Sequence, residues 1–134
     1  MTGKQQGARD RGAAAIELAL LLPVFLVLVF GLIDFGRMLN DQIQVTNAAR
    51  EAVRMEALQL GPDAQTRVDA ATTLGADAHI TDATACTAES EPTDAASATV
   101  TYDFHFITPL GAFADLALPD PVQLSSTATM RCGG

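Results

Sequence analysis

The sequence predicts an α+β fold, in which a long N-terminal transmembrane helix continues outside the membrane and packs on a small antiparallel sheet of about three strands. Three observations predict this fold. Residues 12–33 form an apolar run with a single charge, and residues 34–60 keep a helical pattern without proline. Residues 98–107 and 122–132 alternate apolar and polar side chains, which is the pattern of half-buried strands. The helix therefore comes first in the chain and the sheet last.

The apolar run of 22 residues is long enough to cross a bilayer. At about 1.5 Å per residue it measures roughly 33 Å as a helix, against a hydrocarbon core of about 30 Å. A secretory signal peptide has a shorter core of about 7–15 residues, followed by a small-x-small cleavage site. Residues 34–38 (DFGRM) lack that site. We therefore expect a membrane anchor that is not removed after the run.

The distribution of charge predicts the orientation of this anchor. Residues 1–11 hold three basic residues and one acidic residue, whereas residues 34–134 hold five Arg and fourteen Asp or Glu. Since Lys and Arg flanks stay in the cytoplasm, the N-terminus is expected inside and the C-terminal region outside. The expected domains are a cytoplasmic basic leader over 1–12, the long helix over 13–60 and a small extracytoplasmic α+β domain over 61–134.

The net charge of −8 also bears on partners. Binding to phosphate backbones requires a basic face, and the basic residues here are scattered singly along the chain. The composition therefore argues against a nucleic-acid partner and is typical of a soluble exported domain.

Glu17 is the one charge within the apolar run. A carboxylate inside a membrane costs a few kcal/mol and usually has a partner or a task. It lies five residues into the run, roughly 7 Å deep, so it can alternatively reach water at the inner interface. Both interpretations stay open from the residues alone.

The helical pattern continues beyond the membrane to about residue 60, where the Gly61-Pro62 pair predicts its end. Pro23 removes one backbone hydrogen bond, which membrane helices tolerate. Apolar residues then recur at three- and four-residue steps and predict an amphipathic stripe that covers the sheet. The members of this stripe are Leu39, Ile43, Ala49, Ala52, Val53 and Met55.

The remaining segments predict a small domain. Residues 62–74 are expected to form a short helix that stops at Gly75, and residues 79–87 a weak first strand. Val100, Tyr102, Phe104 and Phe106 share one face of the second strand. Residues 89–96 are expected to form an exposed acidic loop. The apolar residues 110–118, within the loop 108–121, are expected to cap one edge of the core.

Cys86 and Cys132 are the only cysteines, and both lie in the expected outer region. An even pair in an oxidising compartment predicts one disulfide, closing a loop of about 46 residues. The chain-entropy model gives roughly 3–4 kcal/mol for such a loop. The alternative is a pair of free thiols.

The residues predict neither a catalytic site nor a cofactor. His79 and His105 fit no metal-ligand spacing with the cysteines, and the acidic residues are too dispersed to form a carboxylate pair. The chain also contains neither a phosphate-binding loop nor a Ser-centred elbow.

Three motifs carry a resemblance to a known family. They are residues 11–17 (RGAAAIE) with the apolar run behind them, residues 31–37 (GLIDFGR) and residues 46–54 (TNAAREAVR). Together they resemble the TadE-like proteins of tight-adherence (Flp-type) pilus systems. The resemblance implies a pseudopilin-like structural protein, a minor pilin or assembly factor, and not an enzyme. The implied partners are other pilin or pseudopilin subunits and the membrane pilus-assembly platform.

The resemblance also implies roles for individual residues. A prepilin peptidase would cleave between Gly12 and Ala13, which places Glu17 at the fifth position of the mature chain. Glu17 would then meet the N-terminal amine of a neighbouring subunit, since opposite charges in a low-dielectric bundle satisfy each other. Asp34 and Arg37 form the motif at the membrane exit. The alternative to cleavage is that the leader stays on the anchor.

Small residues along the helix would permit close approach of a second helix. The expected helix-packing positions are Ala14, Ala15, Ala19, Pro23, Gly31 and Gly36. The alternative function is a membrane-anchored extracytoplasmic binding domain without a pilus role. Its binding patch would be the apolar segment 110–118.

Overall fold

The computed structural model describes residues 6–60, 63–111 and 121–132, and side chains from Gly12 onward. The elements in chain order are helix α1, helix α2, a short 3-10 turn and strands β1, β2 and β3. Their bounds are Gln6–Leu58, Ala64–Ala71, Gly75–Asp77, Ala78–Thr84, Ala95–Phe104 and Val122–Arg131. The α+β fold predicted from the sequence is confirmed.

Helix α1 is longer at its N-terminus than the sequence predicts, since it begins at Gln6 instead of Ala13 and runs without a break through Pro23. It is one helix that is long and apolar enough, within the described part of the chain, to cross a membrane. Side chains of its apolar run are exposed from Gly12 to Leu28 and partly buried at Val29, Phe30 and Gly31. Lys4, part of the expected leader, lies outside the described residues.

The C-terminal end of α1 comes two residues earlier than expected. Gln59 adopts a left-handed conformation with φ of 53°, and the Leu60 N–H donates to the Met55 carbonyl at 3.2 Å. This is the Schellman arrangement, which satisfies a free carbonyl in the last turn. The helix therefore stops at Leu58 before it reaches the predicted Gly61-Pro62 stop, which lies outside the described residues.

The three strands form one antiparallel sheet in the order β1-β2-β3. Val100 and Phe104 are fully buried on the face that the alternation predicts. Strand β2 begins at Ala95, and Ala96 is fully buried opposite Met130, so the expected exposed loop 89–96 is wrong at its last two residues. Alanine has a weak strand preference, and the polar residues before it hid the start of the strand.

Small side chains let α1 lie close to the sheet. The fully buried residues of the interface are mostly alanine and valine, with Phe104 as the largest. On the helix they are Val45, Ala48, Ala49 and Ala52, and on strand β2 they are Ala96, Ala98, Val100 and Phe104. A core of such small residues buries little area per side chain, so hydrogen bonds and covalent cross-links matter more to its stability.

Two glutamines tie the helices to the remaining chain. Gln65 on α2 donates to the Ala78 carbonyl at 2.9 Å and accepts the Ile80 N–H at 3.0 Å, so its amide pairs with the backbone of β1. Gln44 on α1 accepts from both the N–H and the hydroxyl of Thr73 at 2.8 Å. Helix α2 is thereby shorter than the predicted 62–74, because the chain turns back at Thr72 towards these partners.

Cys86 and Cys132 are joined in a disulfide, with Cα atoms 5.7 Å apart. The Cys86 N–H donates to the Glu56 carbonyl near the end of α1, and the Cys132 N–H donates to the Asp94 carbonyl. The cross-link therefore connects the end of β3 to the segment that follows β1. It closes the end of the domain beside the C-terminal end of α1, far from the apolar run.

Candidate functional site

One face of α1 turns towards the outer domain from Asp34 onward. Its residues recur at alternating steps of four and three, which keeps them on one side of a helix. They are Asp34, Met38, Asp41, Val45, Ala48, Ala52 and Met55, and we call this set the buried seam. The seam starts at the first residue after the apolar run, so the outer domain begins directly at the expected membrane exit.

Asp34 is the anchor point of the seam. Only 2% of its surface is exposed, and its carboxylate accepts the Ile107 N–H at 3.3 Å. The Thr108 hydroxyl donates to the second carboxylate oxygen. Asp34 thus holds the chain that leaves β2, 73 residues further along. Buried carboxylates are tolerated where hydrogen-bond donors surround them, and this one has two.

Arg37 lies one turn above Asp34. Its guanidinium carbon is 5.3 Å from the centroid of the Phe104 ring, a cation–π distance, and one guanidinium nitrogen donates to the His105 carbonyl at 3.5 Å. The two charged residues of the membrane-exit motif therefore both hold the end of β2 against the helix. Their role in the described structure is to position the domain over the membrane helix.

Asp41 is a second buried acid in the seam and was not singled out by the sequence. It is 7% exposed, and the Gln44 amide donates to it at 3.5 Å. Burial raises the pKa of Tyr102, and the negative charges of Asp41 and Asp77 raise it further, whereas Arg37 lowers it. Tyr102 is thus a neutral group beside the polar part of the seam.

The opposite face of α1 stays apolar and uncovered. Leu39 and Ile43, which the sequence analysis assigned to the stripe covering the sheet, are 60% and 61% exposed. They continue a line of large exposed side chains that starts within the apolar run. We call this line the exposed stripe, and its members are Leu28, Leu32, Phe35, Leu39 and Ile43. The predicted amphipathic stripe is therefore two stripes on different sides of the helix.

The exposed stripe rises beyond the membrane exit. Ile43 is nine residues above Asp34, about 14 Å along the helix axis. A groove of about 280 Å³ adjoins Ile43 and is lined by Gln42, Thr46, Asn47 and Arg50. The apolar surface thus ends in a polar groove outside the membrane.

Glu17 is exposed and lies on the line of this stripe. It precedes Phe35 by 18 residues, which is five turns at 3.6 residues per turn, so both side chains leave a regular helix in the same direction. Leu28 lies between them on the same side. The buried seam leaves the helix on the other side. The sequence reasoning identified Glu17 but not its alignment with the apolar residues above the membrane.

The other expected site residues fall into two groups. Most are exposed on the helix surface, and they are Gly12, Ala13, Ala14, Ala15, Ala19, Pro23 and Gly36. Gly31 is different, because a Cβ placed there would lie 3.9 Å from the Leu110 side chain of the same chain. Gly31 therefore packs against the loop that follows β2 in the same chain.

The histidines lie together with two acids on the outward face of the sheet. Asp77, His79, Asp103 and His105 line a depression of about 300 Å³, and the second ring nitrogen of His79 is 3.3 Å from the Thr101 hydroxyl. Across the described ranges, no group of three or more His, Cys, Asp or Glu side chains could hold a metal ion.

Residues 12–54 match the family model of the TadE-like proteins. No curated protein and no solved structure matches the chain significantly. The matched segment contains Glu17, the whole exposed stripe and the membrane-exit motif, and it ends before the sheet. The resemblance seen in the sequence is confirmed over these residues.

The match covers 43 of the 134 residues, and the TadE-like proteins are structural components of tight-adherence (Flp-type) pilus systems that are not known for enzymatic activity. The matched residues also coincide with the membrane-spanning candidate helix.

Two residues of the site, Asp41 and Thr108, were not predicted from the sequence. Asp41 could have been found, because it lies three residues after Met38 and therefore on the same side of the helix.

Proposed function

We propose that this protein is a minor pilin or pseudopilin-like structural subunit that assists assembly of a Flp-type pilus or a related secretion system. In this proposal the N-terminus lies in the cytoplasm and the disulfide-bonded domain outside. The subunit joins other pilin or pseudopilin subunits and the membrane pilus-assembly platform by lateral contact of its helix. The observation that carries the proposal is the exposed stripe within the TadE-like segment.

The stripe supports lateral docking because its upper part cannot be explained by the lipid. Leu39 and Ile43 lie beyond the membrane exit, yet each exposes about 60% of its surface. Large apolar side chains that are contiguous at a helix surface are typical of a protein–protein contact. A second helix laid along the stripe would cover them with the spacing of a two-helix seam.

Glu17 supports the same arrangement from the cytoplasmic end. It lies on the side of the helix that carries the stripe, so a subunit docked there would also face the carboxylate. Cleavage between Gly12 and Ala13 by a prepilin peptidase would create a new amine on each subunit. An ammonium group from the neighbour would satisfy a carboxylate that is otherwise costly in the membrane.

The alternative, an anchored binding domain without a pilus role, is less well supported. Its expected patch began at Leu110, whose side chain lies against the chain's own membrane helix beside Gly31. Residues 112–118 of the patch lie outside the described residues. The proposed structural role uses surfaces that the fold leaves open.

The test is the variant Glu17→Gln in cells that build these pili and carry no other copy of the protein. We expect loss of most surface pili, counted by electron microscopy, while the amount of disulfide-bonded protein in the membrane stays at the level of the unmodified chain. Glu51→Gln, the same chemical change on the outer half of α1, is the matched control and should leave piliation unchanged. Normal pili with Glu17→Gln would refute the docking role of the carboxylate.

The mature N-terminus tests the processing step separately. Intact-mass measurement of protein purified from the membrane should give a chain that begins at Ala13. A full-length chain in cells that assemble normal pili would contradict cleavage. The leader would then stay on the membrane anchor.

A further inference from the structure

The chain leaving β2 turns back towards the membrane instead of away from it. We call residues 107–111 the foot loop. Leu110 lies beside Gly31, three residues below Asp34, and a cavity of about 210 Å³ separates the loop from lower turns of α1. The lining residues are Pro109 and Leu110 from the loop and Pro23, Leu26, Val27 and Phe30 from the helix.

The position of these helix residues sets the depth of the loop. Leu26 lies eight residues below Asp34, which is about 12 Å along the helix axis. When residues 12–33 fill the hydrocarbon core, Leu26 and Phe30 lie within its outer half. A loop packed against them therefore lies below the level at which the helix leaves the membrane.

Most backbone N–H groups of the foot loop are hydrogen-bonded within the protein. The Ile107 N–H is bonded to Asp34, the Leu110 N–H to the Thr108 hydroxyl at 3.3 Å and the Gly111 N–H to the Thr108 carbonyl at 3.0 Å. Pro109 has no N–H to satisfy. Irregular backbone at membrane depth needs protein partners for its polar groups, and three of the four N–H groups in the loop have one.

The outward surface of the loop is apolar. Ile107 exposes 64% of its surface, and residues 107–111 (ITPLG) contain no charged side chain. Within the part of the chain that the structure describes, the charge bonded to the loop is Asp34, which is 2% exposed and accepts the hydrogen bonds just described. The loop thus presents to its surroundings the type of surface that a lipid acyl chain matches.

We propose that the foot loop is a second membrane contact, inserted in the outer leaflet beside α1 with Ile107 against lipid acyl chains. The outer domain is then attached to the bilayer at two points, and its orientation over the membrane is fixed. The proposal rests on α1 spanning the bilayer and is independent of the pilus role.

The chain contains no tryptophan, so a single introduced tryptophan reports its own environment. We would place it at Ile107 (Ile107→Trp) in the full chain, reconstituted in phosphatidylcholine vesicles with and without bromine on the acyl chains. Leu28→Trp in the apolar run is the control for lipid contact. Met130→Trp on β3 is the control for the aqueous domain, because it lies about 26 Å along the strand from Val122.

We expect Ile107→Trp and Leu28→Trp to lose most of their fluorescence in brominated lipid, while Met130→Trp keeps its own. Iodide added to the water should give the reverse order. All three sites are already exposed, and mobility on a non-reducing gel checks that the disulfide has formed in each variant.

If Ile107→Trp behaves like Met130→Trp while Leu28→Trp is quenched, the foot loop is not in lipid and the proposal is overturned. Protection of Ile107→Trp from both quenchers at high protein-to-lipid ratio, relieved by dilution in lipid, would also overturn it. That result would show that a second copy covers the loop. An unquenched Leu28→Trp would instead remove the membrane span on which the proposal rests.

Discussion

The two faces of α1 above the membrane exit reverse the usual distribution of residues. The buried seam contains two acids, Asp34 and Asp41, whereas the opposite face shows Phe35, Leu39 and Ile43 to solvent. Asp34 accepts hydrogen bonds from two donors within the chain, and Asp41 accepts one from the Gln44 amide. The apolar residues opposite have no cover from the described chain.

This difference separates what holds the domain from what the domain offers to others. A buried acid with donors can be part of a stable fold, because its lost hydration is replaced. Full burial of an exposed large apolar side chain is worth roughly 1.5–3 kcal/mol, and an isolated chain does not obtain it. The seam therefore serves the fold, and the opposite face is the surface that the proposed docking of a second chain would cover.

The largest predicted effect is on folding stability, and it comes from placing an aspartate on the buried seam and comparing it with an aspartate on the exposed stripe. Val45→Asp places a charge without a partner at a position that is 0% exposed, and we expect a loss of more than about 4 kcal/mol in the free energy of unfolding. Ile43→Asp, two residues earlier on the exposed stripe, should change it by less than about 0.5 kcal/mol. Urea-dependent proteolysis of the outer domain in detergent micelles measures both.

The pair also sharpens the functional contrast. Ile43→Asp should leave a folded, disulfide-bonded protein that fails to co-purify with pilus components from cells. An equal loss of folding stability in the two variants would contradict the division of the helix into two faces.

The helices and strands could be predicted from the sequence, but the side of α1 that packs on the sheet could not. The apolar run, the alternation in β2 and β3 and the TadE-like motifs are local signals, and each predicted its element. Leu39 and Ala49 both lie at helical steps from other apolar residues, so periodicity placed them in one stripe. Which side of a helix meets the sheet depends on the complete domain, and small residues such as Ala48 and Ala52 are a weak hydrophobic signal although they form the closest contact.

The roles of Asp34 and Thr108 were out of reach for a related reason. They are 74 residues apart, and their contact depends on where the chain leaves β2. Local pattern identified Asp34 as a polar boundary of the membrane run. It gave no partner for the carboxylate, and it assigned the loop after β2 to the edge of the core.

A smaller effect is expected when the seam loses its anchor. Asp34→Ala leaves the Ile107 N–H and the Thr108 hydroxyl without their acceptor in a partly buried place, which should cost about 2–4 kcal/mol. Thr108→Val removes the bond to Asp34 and also the acceptor of the Leu110 N–H, with little change in shape, and it should cost about 1–2 kcal/mol. The proteolysis assay used for Val45→Asp measures both.

The size of the Asp34→Ala effect decides whether the carboxylate is an anchor. If Asp34→Ala costs less than about 1 kcal/mol, its bonds to the Ile107 N–H and the Thr108 hydroxyl contribute little, and Asp34 is a polar boundary residue instead of an anchor.

The smallest effect concerns the charge within the seam. Tyr102 is the only tyrosine and the chain has no tryptophan, so the ultraviolet absorbance of its phenolate titrates one group. We expect a pKa above the ordinary 10.0, because burial and the charges of Asp41 and Asp77 favour the neutral phenol. Asp41→Asn should lower this pKa part of the way to 10.0, since burial is the larger cause and remains.

The sign of the accompanying stability change follows from proton binding. Above pH 10.0 the unfolded chain has released the Tyr102 proton while the folded chain still holds it, so this contribution is complete below pH 10.0 and is lost as the pH rises through the folded pKa. Tyr102→Phe should abolish that part of the alkaline loss, whereas Glu51→Gln should leave the titration of Tyr102 unchanged. A Tyr102 pKa that is the same with Asp41 and with Asn at this position would mean that the seam acid is not felt across the helix–sheet interface. The polar side of the seam would then be reduced to Asp34 alone.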